Sequence, residues 1–286
     1  MKPLGATRLA AVSATRIAAS APLGFAIGLS LGTLGGGGSI LAVPALVYGA
    51  GEQAHAATTT SLVVVGATAL AGMVGHLRAG RVRLLSGLAF GLVGLGGSFL
   101  GSLLNKAIPG DVLLLAFSGL ILVAAWRMHG RHAETPCYAK ARAASAGGGA
   151  RSARAGAAGR ADVATALRVL LAGSAVGFLT GFFGVGGGFV IVPALVLALG
   201  YAMPIAVGTS LLVIAISSAE GLAFRLSAAG GVDWRVAVPF TVAGLIGVLL
   251  GDAIAGRVPA AQLNRWFVWL LVAVACYTAA QSLVAI

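Results

Sequence analysis

Gly32-Thr33-Leu34-Gly35-Gly36-Gly37-Gly38-Ser39-Ile40-Leu41-Ala42-Val43-Pro44 decides how the rest of this chain is read. Four consecutive glycines stand inside an apolar run, with no charged residue between Arg16 and Glu52. Each interior Gly costs a helix about 0.5–1 kcal/mol relative to Ala, so the run is a poor uninterrupted helix. The same interruption returns at Gly181-Phe182-Phe183-Gly184-Val185-Gly186-Gly187-Gly188-Phe189-Val190-Ile191-Val192-Pro193. Two matched breaks indicate a device.

Working outward, the two runs are halves of a duplication. Gly35/Gly184, Gly37/Gly186, Gly38/Gly187, Pro44/Pro193 and Thr60-Ser61-Leu62/Thr209-Ser210-Leu211 share an offset of 149 residues. Beyond the second span the offset becomes 150, linking Gly80/Gly230, Gly94/Gly244, Gly97/Gly247, Gly101/Gly251 and Pro109/Pro259. Gly94, Gly97 and Gly101 fall on one helical face, as do their partners, and such faces pack helices closely.

Composition sets the medium. The 286 residues are 59% hydrophobic and 9% charged, with a mean hydropathy of +1.00, against roughly 25% charged in soluble domains. Several runs approach or exceed the ~20 residues that cross a bilayer. The chain reads as an all-α integral membrane protein of about eight transmembrane helices in two four-helix repeats. The segments are 1–20, an N-terminal arm; 21–128, repeat 1; 129–166, a basic low-complexity linker; and 167–286, repeat 2. Four crossings per repeat make the repeats parallel, with the first helix of each broken at its glycines.

Loop charges give the orientation. With an inside N-terminus, Lys2, Arg8 and Arg16, then Arg78, Arg81 and Arg83, then the linker, then Arg225 and Arg235 all face the cytoplasm, as the positive-inside bias requires. Only Arg257 and Arg265 break the pattern. Both termini are expected to be cytoplasmic in a bacterial inner membrane. A re-entrant first segment would turn the Arg78–Arg83 loop outward, so a complete crossing is preferred. The N-terminal apolar run exceeds a signal-peptide core and reads as retained.

The net charge of +12 follows from these loops and does not imply nucleic acid. Two cysteines, Cys137 and Cys276, form neither a disulfide framework nor a metal motif, and no metal or cofactor is expected. The glycine runs lack the Lys-Ser/Thr of a phosphate-binding loop. Ser39 with His76 or His55 is the one Ser–His pairing available to a hydrolase, and repeat 2 has Gly188 where Ser39 stands. An enzyme is not expected.

The breaks suggest binding instead. A half-helix after Gly38 starts near the bilayer midplane, where its unpaired N–H groups and positive dipole end need a partner. Two such ends make a site for a small anion, with backbone donors from Gly35, Gly36, Gly37, Gly38 and Ser39 and from Gly184, Gly186, Gly187 and Gly188. The hydroxyls of Thr60, Ser61, Thr209 and Ser210 either donate to that anion or bond back to their own helices. Pro44 and Pro193 bend the half-helices. Glu220 is the candidate proton-coupling group, an intramembrane carboxylate.

The motif Gly-x-x-Gly-x-Gly-Gly with Val-Pro-Ala-Leu-Val, the following Ala-x-x-Thr-Ser-Leu at 57–62 and 206–211, and Arg-Ala-Gly-Arg-Val at 78–82 resemble the TauE/SafE, or sulfite exporter, family of permeases. The resemblance implies secondary transport, by export, of small sulfur-containing anions such as sulfite, thiosulfate or organosulfonates, linked to the proton-motive force. A passive anion channel built on the same glycine ends is the alternative, and an intramembrane hydrolase or scaffold the remaining one. Besides the anion, the partner is the lipid bilayer; an oligomer is possible.

Overall fold

The computed structural model describes residues 21–49, 54–105, 110–129, 155–183, 188–226 and 234–285. The N-terminal arm, most of the linker, and Gly184, Gly186 and Gly187 lie outside the described residues. Those described are helical throughout, with no strand among them. In chain order they form α1 (Ala21–Leu34), α2 (Gly37–Pro44) continued by a π-helical turn over Ala45–Gly49, α3 (Ala54–Arg78), α4 (Leu84–Asn105), α5 (Gly110–His129), α6 (Ala155–Phe183), α7 (Gly188–Leu197), α8 (Met203–Leu226), α9 (Trp234–Arg257) and α10 (Ala260–Ala285). With α1/α2 and α6/α7 each counted as one broken segment, these are eight units in two sets of four. Stretches of α3, α4, α8, α9 and α10 are long and apolar enough to cross a membrane. Leu85 and Trp269, 84% and 68% exposed, stand on the outside of the bundle, where only lipid would make such exposure favourable.

Glycine contacts reveal the direction of each helix. Gly24, Gly28 and Gly32 of α1 lie against Phe240, Gly244 and Val248 of α9, in that order, so the two run the same way. Gly173, Gly177 and Gly181 of α6 lie against Phe90, Gly94 and Ser98 of α4 in the same manner. Thr68, Gly72 and Gly75 of α3 meet Gly244, Val248 and Asp252, so α3 also parallels α9. Gly87 and Gly91 of α4 meet Leu212 and Ile216, so α4 parallels α8. By contrast α3 and α8 are antiparallel, with Gly66 on Ser218, Leu62 on Gly221 and Leu211 on Gly72. The start of α10 meets the end of α5, where Asn264 Nδ2 donates to the Met128 carbonyl at 3.2 Å.

These directions correct the expected topology. Repeat 1 runs α1 and α3 one way and α4 the other; in repeat 2 the equivalent α6 and α8 run opposite to α1 and α3, and α9 opposite to α4. The repeats are therefore inverted, not parallel. The cause is α2. Gly38 packs on Ile27 and Leu31 of α1, which a straight helix would hold far apart, so α1 and α2 form a re-entrant hairpin and not a complete crossing. Each repeat then has an odd number of full crossings.

A second expectation falls with the first. The ends of α3, α5 and α9 share one face with the starts of α4, α6, α8 and α10, here the linker face. The start of α1 and the end of α10 lie at the opposite, terminal face. The helix ends that flank the linker and those nearest the termini lie at opposite ends of the bundle.

The small-residue stripes join the two repeats within one chain. Side chains at Gly28 and Gly177 would run into the backbone carbonyls of Gly244 and Gly94, so these pairs approach at backbone distance. Gly28→Leu and Gly177→Leu are each expected to destabilise the bundle by about 1–3 kcal/mol or more through overpacking. Thermal unfolding in detergent followed by circular dichroism checks this.

Candidate functional site

The two breaks meet. Gly35 ends α1 with φ +71°, a left-handed conformation that favours glycine. It also sits where a Cβ would come within 2.5 Å of Ser210 Oγ and 3.1 Å of Val207 Cα. Gly36, the N-cap of α2, carries no side-chain cap bond and lies against the carbonyl of Gly188, the first residue of α7. Gly188 in turn faces the Ser39 side chain. Hairpins entering from opposite faces thus overlap side by side at the centre of the bundle. Phe189 fixes α7 from behind, its ring edge-on to Phe117 of α5 with centroids 5.0 Å apart.

The expected donors separate into two groups. Gly35, Gly36, Ser39, Gly188 and Ser210 come together at this junction. A side chain at Gly37 would instead meet Leu270 of α10, and one at Gly38 would meet Ile27 and Leu31 of α1, so these two turn their α-carbons to packing neighbours while their N–H groups stay in the first turn of α2. Pro44 ends α2, just before the π-helical turn, where its missing N–H leaves the Ile40 carbonyl without its usual donor. Pro193 lies inside α7. The half-helix expected after Gly38 runs on to Gly49, changing from α to π geometry after Pro44.

The hydroxyls bond back to backbone. Ser39 Oγ donates to the Gly36 carbonyl at 2.7 Å, Ser61 Oγ to Thr58 at 2.8 Å and Ser210 Oγ to Val207 at 2.8 Å. The last two are repeat-related, so the symmetry extends to side-chain geometry. Thr209 Oγ1 accepts from the Arg83 backbone N–H at 3.2 Å, tying α8 to the loop before α4. Thr60 and Thr209 are fully buried. In this state a ligand gains the Ser39, Ser61 and Ser210 hydroxyl protons only by rotating them away from carbonyls, a cost shared with the ligand's own desolvation. Ser39 makes no hydrogen bond to His76, whose Nε2 faces Asp252 and the Gly32 carbonyl.

Beside the junction, toward the terminal face, lies a cavity of about 70 Å³. Its polar lining is Ser98, Thr180, Ser217, Ser218 and Glu220, contributed by α4, α6 and α8. Sequence reasoning found Glu220 and missed the four hydroxyls. The available signal was asymmetry between the repeats: Thr180, Ser218 and Glu220 replace Leu31, Ala69 and Ala71, and Ser98 replaces Val248.

Comparison with known proteins agrees with this architecture. The family model described as "Sulfite exporter TauE/SafE" matches residues 20–278. A Xylella fastidiosa (strain 9a5c) protein named "Probable membrane transporter protein" is 39% identical over 260 residues, 88% of this chain and 90% of its own length. A Bacillus subtilis (strain 168) protein, "Probable membrane transporter protein YdhB", is 28% identical over 240 residues, 84% of this chain and 91% of its own. No solved structure gives a significant match. With a family match along nearly its whole length and relatives named as membrane transporters, the chain belongs to the sulfite exporter TauE/SafE family of membrane transporters.

Proposed function

We propose that the protein exports small sulfur-containing oxyanions, of the sulfite, thiosulfate or organosulfonate class, across the bacterial inner membrane by alternating access. The observation that carries this reading is the contact of the two helix breaks, Gly36 on Gly188, at the overlap of opposed hairpins. First-turn N–H groups of α2 and α7 have no intrahelical acceptors and supply neutral, directional donors to an anion. Ser39, Thr60, Ser61, Thr209 and Ser210 add hydroxyls, and Gly184, Gly186 and Gly187, outside the described residues, belong to the same donor set by their place in the repeated motif. No fixed cation is included among these donors, so binding stays reversible. Inverted repeats supply the two related conformations that alternating access requires.

The linker face is assigned to the cytoplasm. It gathers Arg78, Arg81, Arg83, Arg127, Arg168, Arg257 and Arg265 with the basic linker, whereas Arg225 and Arg235 lie at the other end. The Arg257–Arg265 exception disappears in this arrangement, and Arg225, Arg235 and the basic residues that precede α1 become the exceptions in its place.

Uptake of labelled sulfite, thiosulfate and an organosulfonate into proteoliposomes, with and without a pH gradient, tests the reading. Saturable flux of at least one, increased by the gradient, is expected; ohmic current without saturation would establish a channel instead. Glu220 serves as the coupling carboxylate, reached through its cavity. Glu220→Gln should leave anion exchange near the wild-type rate and remove gradient-driven accumulation, measured in the same vesicles.

A further inference from the structure

A second set of charges is buried at the linker face, away from the junction. His76, near the end of α3, has no exposed surface. Its Nε2 is 3.3 Å from Asp252 Oδ1 on α9 and 3.4 Å from the Gly32 carbonyl in the last turn of α1. Arg81, in the α3–α4 connection, brings Nη1 to 3.7 Å from the same Oδ1. The site is shaped to hold them. A Cβ at Gly75 would strike the Asp252 carboxylate, one at Gly256 would come within 3.0 Å of the Arg81 guanidinium, and one at Gly208 of α8 within 3.0 Å of His76 Cβ. The charged groups facing the ring are thus Asp252 from α9 and Arg81 from the connection. From α1 and α8 come only the Gly32 carbonyl and the Gly208 backbone.

Both neighbours of Nε2 are acceptors, so Nε2 carries a hydrogen. Nδ1 is buried with no hydrogen-bond partner, leaving it as the position that gains or loses a proton. The positions related by the repeat to Arg81 and Asp252 are Gly231 and Ser102. Ser102 only bonds back to the Phe99 carbonyl. An ionic tie of this composition is therefore not repeated at the terminal face, where the Glu220 cavity lies.

We propose that His76, Asp252 and Arg81 form a proton-operated gate closing the linker face of the transporter. The proposal rests on the transport reading and adds a proton-binding site to it. With Nδ1 protonated, the imidazolium joins α9 of repeat 2 to α3 and to the tip of the α1–α2 hairpin through Gly32, three residues before the break at Gly35. A neutral ring keeps its Nε2 hydrogen on the Gly32 carbonyl but loses its charge attraction to Asp252, which leaves that carboxylate to Arg81. The ionic tie between the repeats, and with it the hold on the hairpin tip, weakens. Asp252 and Arg81 are 21% and 26% exposed, which gives the proton its route from the linker side. Acid on that side locks the gate, and alkali frees it.

The test uses the full chain in proteoliposomes, exchanging labelled for unlabelled sulfite with no gradient. Wild-type exchange should rise about tenfold when the bath is taken from acid, about pH 4.5, to about pH 8, as the imidazole gives up its charge. His76→Gln, which keeps a neutral donor, should give a flat profile at the high level. Asp252→Asn, at the edge of the cluster, should flatten it too. A second readout needs no transported anion. Thr209→Cys in a chain lacking Cys137 and Cys276 should react with an impermeant maleimide from the linker side at high pH and be protected at low pH, the protection disappearing with His76→Gln. A wild-type pH response in folded His76→Gln, by flux or labelling, would overturn the gate. Gated labelling without flux of any tested anion would overturn the substrate assignment alone.

Discussion

Gly36→Ala is expected to reduce anion flux to the background of empty vesicles, while Gly37→Ala, one residue further on, keeps most of it. The two changes are identical in chemistry and in helix propensity. They differ in what the added methyl meets. At position 36 it would collide with the Gly188 carbonyl and come within 2.9 Å of the Phe189 amide, both backbone atoms of the opposite hairpin that cannot step aside. At position 37 it would meet the end of the Leu270 side chain, with its next neighbours at 3.5 Å or beyond, and a leucine rotamer can absorb that. Flux per reconstituted protein, with monodispersity as the folding control, decides the matter. Equal loss in both variants would mean that the glycine run acts through helix propensity, not through contact between the breaks.

The second large effect is all-or-none. A reporter inserted in the linker and one fused after residue 286 should lie on opposite sides of the membrane: a green fluorescent protein fluorescing in the linker, alkaline phosphatase active at the C-terminus. The odd number of crossings in each inverted repeat dictates this. Both reporters on one side would restore the parallel arrangement, and with it a straight, interrupted crossing in place of the α1–α2 hairpin.

That contrast also shows how far the sequence could be read. The duplication, the helical membrane class and the position of both breaks followed from Gly35–Gly38, Gly184–Gly188, Pro44/Pro193 and the Thr-Ser pairs, because each is a local or periodic signal. The direction taken after the break was not local. It depends on Gly38 meeting Ile27 and Leu31, a contact without a signature in hydropathy, since a returning leg is as apolar as a continuing one. Loop charge did hold a trace of the error: Arg257 and Arg265 fitted no parallel scheme. At the site, Gly35 and Gly36 were legible as a break, but a run of like residues gave no means of separating them from Gly37 and Gly38. The His76–Asp252–Arg81 cluster was hidden for a related reason. Its members come from both repeats, with His76 and Arg81 far from Asp252 along the chain.

The close glycine interfaces have one more consequence. Each repeat buries its first helix against the third helix of the other, α1 on α9 and α6 on α4, and pairs α3 with α8 and α5 with α10. Neither half keeps its principal partners to itself. The molecule is in this sense an antiparallel homodimer written as a single polypeptide. A lone four-segment half, able to insert in either orientation, would find the same interfaces in an upside-down copy of itself. The fused chain has used its freedom from strict symmetry to place a carboxylate on one side and an ionic tie on the other.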